Sequence, residues 1–136
     1  MSDPYIGEIR MAAFGFTPRG WAQCNGQLLP ISQNQALFAL LGTYYGGDGV
    51  TIFALPDFRG RIPLYFGSIA GAKMSTHTIG EKGGSEKVAL TVKSAASTVG
   101  STTTYIDGAA PPPDNMMPYL ALNFIIATSG IFPSRD

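Results

Sequence analysis

Charge is scarce in this chain. Nine basic and nine acidic side chains cancel, and together they fill only 13% of 136 positions, about half the share usual in soluble domains. With no basic stripe to neutralise phosphates, nucleic acid is not expected as a partner. A single cysteine, Cys24, rules out an intrachain disulfide. Because Cys24 lies among apolar residues with no base beside it, an inert buried thiol is expected rather than a nucleophile. A single histidine, His77, has no serine or carboxylate motif around it for nucleophilic catalysis and no second histidine for a metal. No apolar run approaches the roughly 20 residues needed to span a bilayer. Asp3, Pro4 and Glu8 interrupt the start of the chain, so it does not read as a secretory leader, and export is expected by lysis, within a particle or through a dedicated machine.

What is abundant is apolar and small. Hydrophobic residues make up 45% of the chain, and 17 glycines and 10 prolines punctuate it. At this length a single domain over 1–136 can bury a core without cross-links. So apolar a chain with so thin a charged shell is expected to cover part of its surface with copies of itself.

Most local signals fall between Gly20 and Pro63. Asn25-Gly26 tolerates positive φ between Trp21-Ala22-Gln23-Cys24 and Leu28-Leu29, which predicts a hairpin. A short helix is predicted over about Ser32 to Leu41. Ser32 would cap it, Gln35 would reach back to the cap amide, Ile31 and Ala36 would form a staple, and Gly42 would stop it. Gly46-Gly47-Asp48-Gly49 reads as a turn. It lacks the following Lys-Ser or Lys-Thr of a phosphate cradle and the spaced carboxylates of a calcium loop. Val50 to Leu55 reads as a strand ended by Pro56. Asp57, Arg59 and Arg61 could bind an anion, but a carboxylate beside two guanidiniums is better read as a structural ion-pair knot that fixes a loop.

Around this stretch, Tyr5 to Phe16 is predicted as a strand with an irregular tail, and Ile62 to Ser68 as a further strand. Gly67 to Ser85 is Gly-, Ser-, Thr- and Ala-rich and reads as loop, and Val88 to Val92 as a short strand. Ser94 to Thr104 is almost wholly small or hydroxylated and would be an exposed strand or hairpin. Asp107 to Pro118, with Pro111, Pro112 and Pro113, is an extended connector. A Ser/Thr-rich and Pro-rich inserted segment is thus expected at about 93–118. Tyr119 to Thr128 is the most apolar run and favours a buried strand. The fold class that results is α+β, mostly short β-strands with one short α-helix.

The central stretch closely resembles the phage tail collar domain, whose stand-alone bacterial members are called microcystin-dependent proteins. The residues that carry the likeness are Gly20-Trp21, Cys24-Asn25-Gly26-Gln27, Asn34 with Ala36-Leu37-Phe38, Leu41-Gly42-Thr43, Tyr45-Gly46-Gly47-Asp48-Gly49, and Leu55-Pro56-Asp57 leading into Arg59-Gly60-Arg61. Gly80 to Glu86 and Pro118 to Arg135 also look like family pattern, leaving Val92 to Met116 outside it. The resemblance implies a collar-type domain assembled as a trimer. It further implies a non-enzymatic structural protein of a phage tail or phage-derived fibre, in a virion tail or at a cell surface. Some fibre tips of this kind hold metal on His-x-His pairs, but Lys93-Ser94-Ala95-Ala96-Ser97 stands in that place here, so no metal or other cofactor is expected. The alternative is an adhesin tip that binds a cell-surface glycan or receptor, with Tyr105, Ile106 and Tyr119 as candidate contacts.

Overall fold

The computed structural model describes residues 3–67, 75–88 and 114–135. The chain divides into two compact units, Met1–Lys82 with Ala121–Asp136, and Gly83–Leu120. In the first unit, mostly short β-strands surround one short α-helix.

The apolar run near the C-terminus forms the central strand. β1 (Ile9–Ala12) and β2 (Trp21–Gln23) both pair antiparallel with β5 (Asn123–Ala127), giving the order β1-β5-β2. The registers set Arg10 opposite Ile125 and Ala22 opposite Ile126. Successive residues of a strand face opposite sides of its sheet, and Ile125, Ile126 and Ala127 are all buried, so β5 is covered on both faces there. β3 (Leu28–Pro30) and β4 (Ile52–Ala54) make a separate antiparallel pair, extended by Leu55 N–H to Gln27 O at 3.0 Å and Ile31 N–H to Thr51 O at 3.0 Å.

α1 (Gln35–Leu41) lies between β3 and β4 in sequence and has seven residues, too few to be stable alone. Leu37 and Leu41, spaced i and i+4, put one face into the core, where Leu37 is 1% exposed. The core cluster joins them to Cys24, Phe53, Leu55 and Ile126, so it ties helix, both sheets and the Asn25 turn together. Phe38 packs on Phe53 with ring centroids 5.5 Å apart.

Several expectations need correction. Asn25-Gly26 is a turn, with Gly26 at φ 75°, but it does not close a hairpin: β2 pairs with β5 and β3 with β4, so the turn passes the chain from one sheet to the other. The helix does not begin at Ser32. Residues Ile31–Gln33 form a 3₁₀ turn, and α1 starts after Asn34, whose side-chain amide donates to Pro30 O at 3.0 Å rather than capping. Gly42 does end it, its amide reaching Phe38 O at 2.8 Å. The N-terminal strand is shorter than Tyr5 to Phe16, because the chain turns at Gly7 (φ 85°) with Glu8 N–H on Tyr5 O, leaving only an isolated bridge from Tyr5 to Ile131. Ile62 to Phe66 is not a strand at all: only Gly67 forms a bridge, to His77.

Within Gly83–Leu120, Lys87 bridges Asp114, and Asn115 N–H meets Glu86 O at 2.7 Å. Val88 is in no strand. Residues 89–92, the hydroxylated stretch 94–104, Tyr105, Ile106 and the triple proline lie outside the described residues, as does most of the insert expected at about 93–118.

Candidate functional site: the Asp57 clasp

Where β4 ends, Pro56 has no amide to extend the ladder, and the chain turns back over the Asn25 turn. Backbone bonds stitch the two together: Gly26 N–H to Pro56 O at 3.2 Å and Phe58 N–H to Cys24 O at 2.9 Å. Asn25 also accepts Gln27 N–H on its own Oδ1 at 3.2 Å, an Asx turn that holds the crossing rigid. Gly26 is required here because its φ is positive and because a Cβ would meet the Asp57 carboxyl at about 3.1 Å.

The structure brings Asp57, Arg59 and Arg61 together at this crossing. Arg59 grips the carboxylate with two parallel bonds, Nε to Oδ1 at 2.9 Å and Nη2 to Oδ2 at 2.9 Å, and its own amide adds a third at 3.1 Å. Such fork geometry is the strongest form of carboxylate pairing. Arg61 Nη1 lies 3.5 Å from Oδ2 and donates to the Asp57 carbonyl at 3.2 Å, so it ties the backbone as much as the charge. The Asp57 side chain is 14% exposed against 73% for Arg59. It is covered by its own partners rather than sunk in the core. The Arg59 hydrogen bonds hold its carboxyl well below the usual range. Beneath the clasp, Phe58 stacks on Phe124 of β5 with centroids 4.4 Å apart. One short loop therefore pins the end of β4 to the central strand of the other sheet.

A groove of about 320 Å³ opens beside the clasp, lined by Gln23, Cys24, Asn25, Phe58, Arg59, Leu122, Asn123 and Phe124. Its one nucleophile is Cys24, whose thiol burial pushes up to about 12, so it stays protonated at neutral pH. The site joins elements, with the Asp57 carboxylate and the Arg59 guanidinium bonded to each other and Arg61 bonded to the backbone.

A second carboxylate, missed as a hub in the sequence, organises the glycine loop. Asp48 Oδ1 accepts the amides of Val50, Thr51 and Ile52 at 2.9, 2.9 and 3.0 Å, and Oδ2 accepts Thr51 Oγ1 at 2.7 Å. These bonds, the Ile52 amide foremost, hold its carboxyl well below the ordinary value. The signal was present: an aspartate two to four residues ahead of amides freed by a turn. Gly47 makes the loop's closest approach, bridging Phe53 with φ 94°.

His77 lies 3.4 Å from Glu81, Nδ1 to Oε2, with both side chains about 40% exposed. Among the described residues no three His, Cys, Asp or Glu side chains come together as metal ligands, and no helix is long and apolar enough to cross a membrane. Tyr119 is 74% exposed in the second unit.

Residues 7–63 match the family model of the Phage Tail Collar Domain. That span holds β1 to β4, α1, the glycine loop and the whole clasp; β5, the strand on which β1 and β2 pair, lies outside it. No curated protein matches the chain.

Proposed function

We propose that this chain is a non-enzymatic structural protein of a phage tail or phage-derived fibre, of the stand-alone microcystin-dependent type, and that it works as a homo-oligomer, a trimer. The collar match over 7–63 carries the reading. Its support in the structure is a collar stretch whose best-made polar cluster, Asp57 with Arg59 and Arg61, serves as a fastening rather than as chemistry. Association is supported by the surface. Among the described residues the large hydrophobics left exposed, including Met11, Phe16, Leu64 and Tyr65, outnumber those that are buried. Exposed apolar surface on that scale is what other subunits would cover.

Sedimentation velocity at tens of micromolar, followed by negative-stain electron microscopy, tests it. Trimers or threefold fibres are expected, and a monomer at that concentration, where specific interfaces normally persist, would overturn the reading. Glycan or receptor binding is the narrower reading, resting on exposed Tyr119. Discrete trimers that bind cells, with binding lost in Tyr119→Ala, would favour it over spontaneous fibres.

A further inference from the structure

The seven residues Arg61 to Gly67 are held at both ends and offered in between. At one end Arg61 is fastened by its amide to Phe58 O at 3.0 Å and by its guanidinium to Asp57. At the other, Gly67 N–H meets His77 O at 2.7 Å. Between these anchors Ile62, Leu64, Tyr65 and Phe66 are 64, 72, 85 and 50% exposed. Their amides meet no backbone acceptor among the described residues. Tyr65 and Phe66 stack on each other with ring centroids 5.4 Å apart, so the two rings stand together as one exposed apolar surface beside Leu64. With an aromatic side chain burying roughly 150–250 Å², these four present on the order of 600 Å². That is most of the roughly 800 Å² each partner contributes to a standard interface.

The same unit carries a surface that matches it. β1 is the outer strand of its sheet. The bond from Ala127 N–H to Glu8 O turns the Glu8 carbonyl toward β5, so by alternation the polar backbone groups of Ile9 and Met11 point to the outer edge, where they meet no backbone partner among the described residues. Both side chains are exposed there. The charge beside them is already neutralised, since Arg10 Nε bonds Glu8 Oε1 at 2.7 Å, so an uncharged strand can lie along that edge without stranding an ion.

We propose that Ile62–Phe66 of one copy adds as a strand to the β1 edge of the next copy, laying Leu64 and Phe66 against Ile9 and Met11. This rests on the homo-oligomer reading above and names its interface. Because the two surfaces differ, the contact is head-to-tail, and such a contact closes into a ring when its rotation permits. The clasp then acquires a role: Arg61 anchors the start of the donated segment before any partner arrives.

The test uses the full chain. Leu64→Glu and Met11→Glu should each keep the wild-type circular dichroism spectrum yet sediment as monomers. In parallel, the double variant Met11→Cys, Leu64→Cys is treated with a short bis-maleimide. It should give covalent trimers on a denaturing gel, while either single variant gives none, Cys24 being buried and protonated. Glutamate variants that remain oligomeric, or a folded double variant without cross-linked species, would overturn the interface while leaving the homo-oligomer reading intact. A monomeric wild type would overturn both.

Discussion

Ile52-Phe53-Ala54-Leu55 and Ile62-Pro63-Leu64-Tyr65-Phe66 are both rich in large apolar side chains and start ten residues apart, yet they end in opposite environments. Phe53 and Leu55 have no exposed surface, while Leu64 is 72% and Tyr65 85% exposed. Part of the difference is local, since Pro63 has no amide to pair, and the rest lies in what surrounds each segment. β4 has β3 beside it, α1 packed above it and Leu55 N–H extended onto Gln27 O, whereas Ile62–Phe66 has no backbone partner among the described residues. Strand propensity is a statement about fitting a pleated, half-buried surface. Where the chain supplies such a surface the segment becomes a strand, and where it does not an equally apolar segment stays bare.

The largest test of this contrast is truncation on each side of it. Phe53→Ala should cost about 3 to 5 kcal/mol, a transfer loss plus a cavity under Phe38. Leu64→Ala should change protomer stability by less than about 0.5 kcal/mol. Urea unfolding at sub-micromolar protein, dilute enough to separate protomers, measures both. Similar costs for the two would mean that Leu64 is packed within its own chain.

Gly47→Ala probes how β4 acquires its surroundings. A Cβ there would lie 2.5 Å from the Phe53 Cα and 2.7 Å from Ile52 O, at a backbone φ of 94°. Strain and clash together should destabilise by about 2 to 3 kcal/mol, read as a shifted urea midpoint with an unchanged slope. Gly84→Ala, also at positive φ but with no atom of the described residues within 4 Å of the added carbon, isolates the backbone part and should cost less.

This contrast also explains what was legible in the sequence. β4 and β5 could be read because their apolar residues are concentrated and bounded by Pro56 and Gly130, and Gly42 marked the helix end. The Asn25-Gly26 turn was legible as a turn, but which strands it joins depends on β5, about a hundred residues away, and no local pattern encodes that. Ser32 looked like a cap because the motif is local; the 3₁₀ turn at Ile31–Gln33 absorbed it and moved the start to Asn34. Ile62 to Phe66 misled because its apolar residues outweighed Pro63, which has no amide to pair, and it has no backbone partner among the described residues. At the site, the close spacing of Asp57, Arg59 and Arg61 announced a cluster. That Arg59 would take both oxygens, leaving Arg61 chiefly to the Asp57 carbonyl, required coordinates.

That division lowers the expected cost of losing Arg61. From sequence, Arg61→Ala would strand a buried carboxylate and cost a few kcal/mol. Since Arg59 still holds Asp57 in a fork, the loss should be about 1 kcal/mol, discounted for a partly exposed pair. Acid titration separates the charge from the backbone tie. The folded carboxyl of Asp57 sits below its unfolded value of about 3.9. Its contribution is therefore complete above that value and is lost as pH falls through the folded one. Stability should be flat in this respect from pH 7 to 5 and fall below about 4. Asp57→Asn should be less stable at pH 7, with a shallower acid fall, and an unchanged acid limb would place the coupling elsewhere. Asp48, held low by the Ile52 amide, adds to the same limb, so Asp48→Asn should flatten it independently.

The smallest expected effect is none at all, and it bears on the clasp rather than on either strand. Cys24 is 4% exposed, its carbonyl receives Phe58 N–H at 2.9 Å, and burial pushes its thiol up to about 12. At pH 8 an ordinary cysteine with a pKa near 8.5 is roughly a quarter thiolate, while Cys24 would be on the order of one part in ten thousand. Iodoacetamide should thus leave the native protein unmodified over hours and label it once in urea. Residual labelling in native buffer then reports opening of the crossing between the Asn25 turn and the Asp57 loop, a local event cheaper than global unfolding. If the clasp is what keeps that crossing shut, Arg61→Ala should raise the native labelling rate about fivefold, the equivalent of about 1 kcal/mol, whereas Leu64→Ala should leave it unchanged. Equal rates in wild type and Arg61→Ala would show that the Phe58–Phe124 stack and the backbone bonds hold the crossing alone, and that Arg61 serves only the segment that follows it.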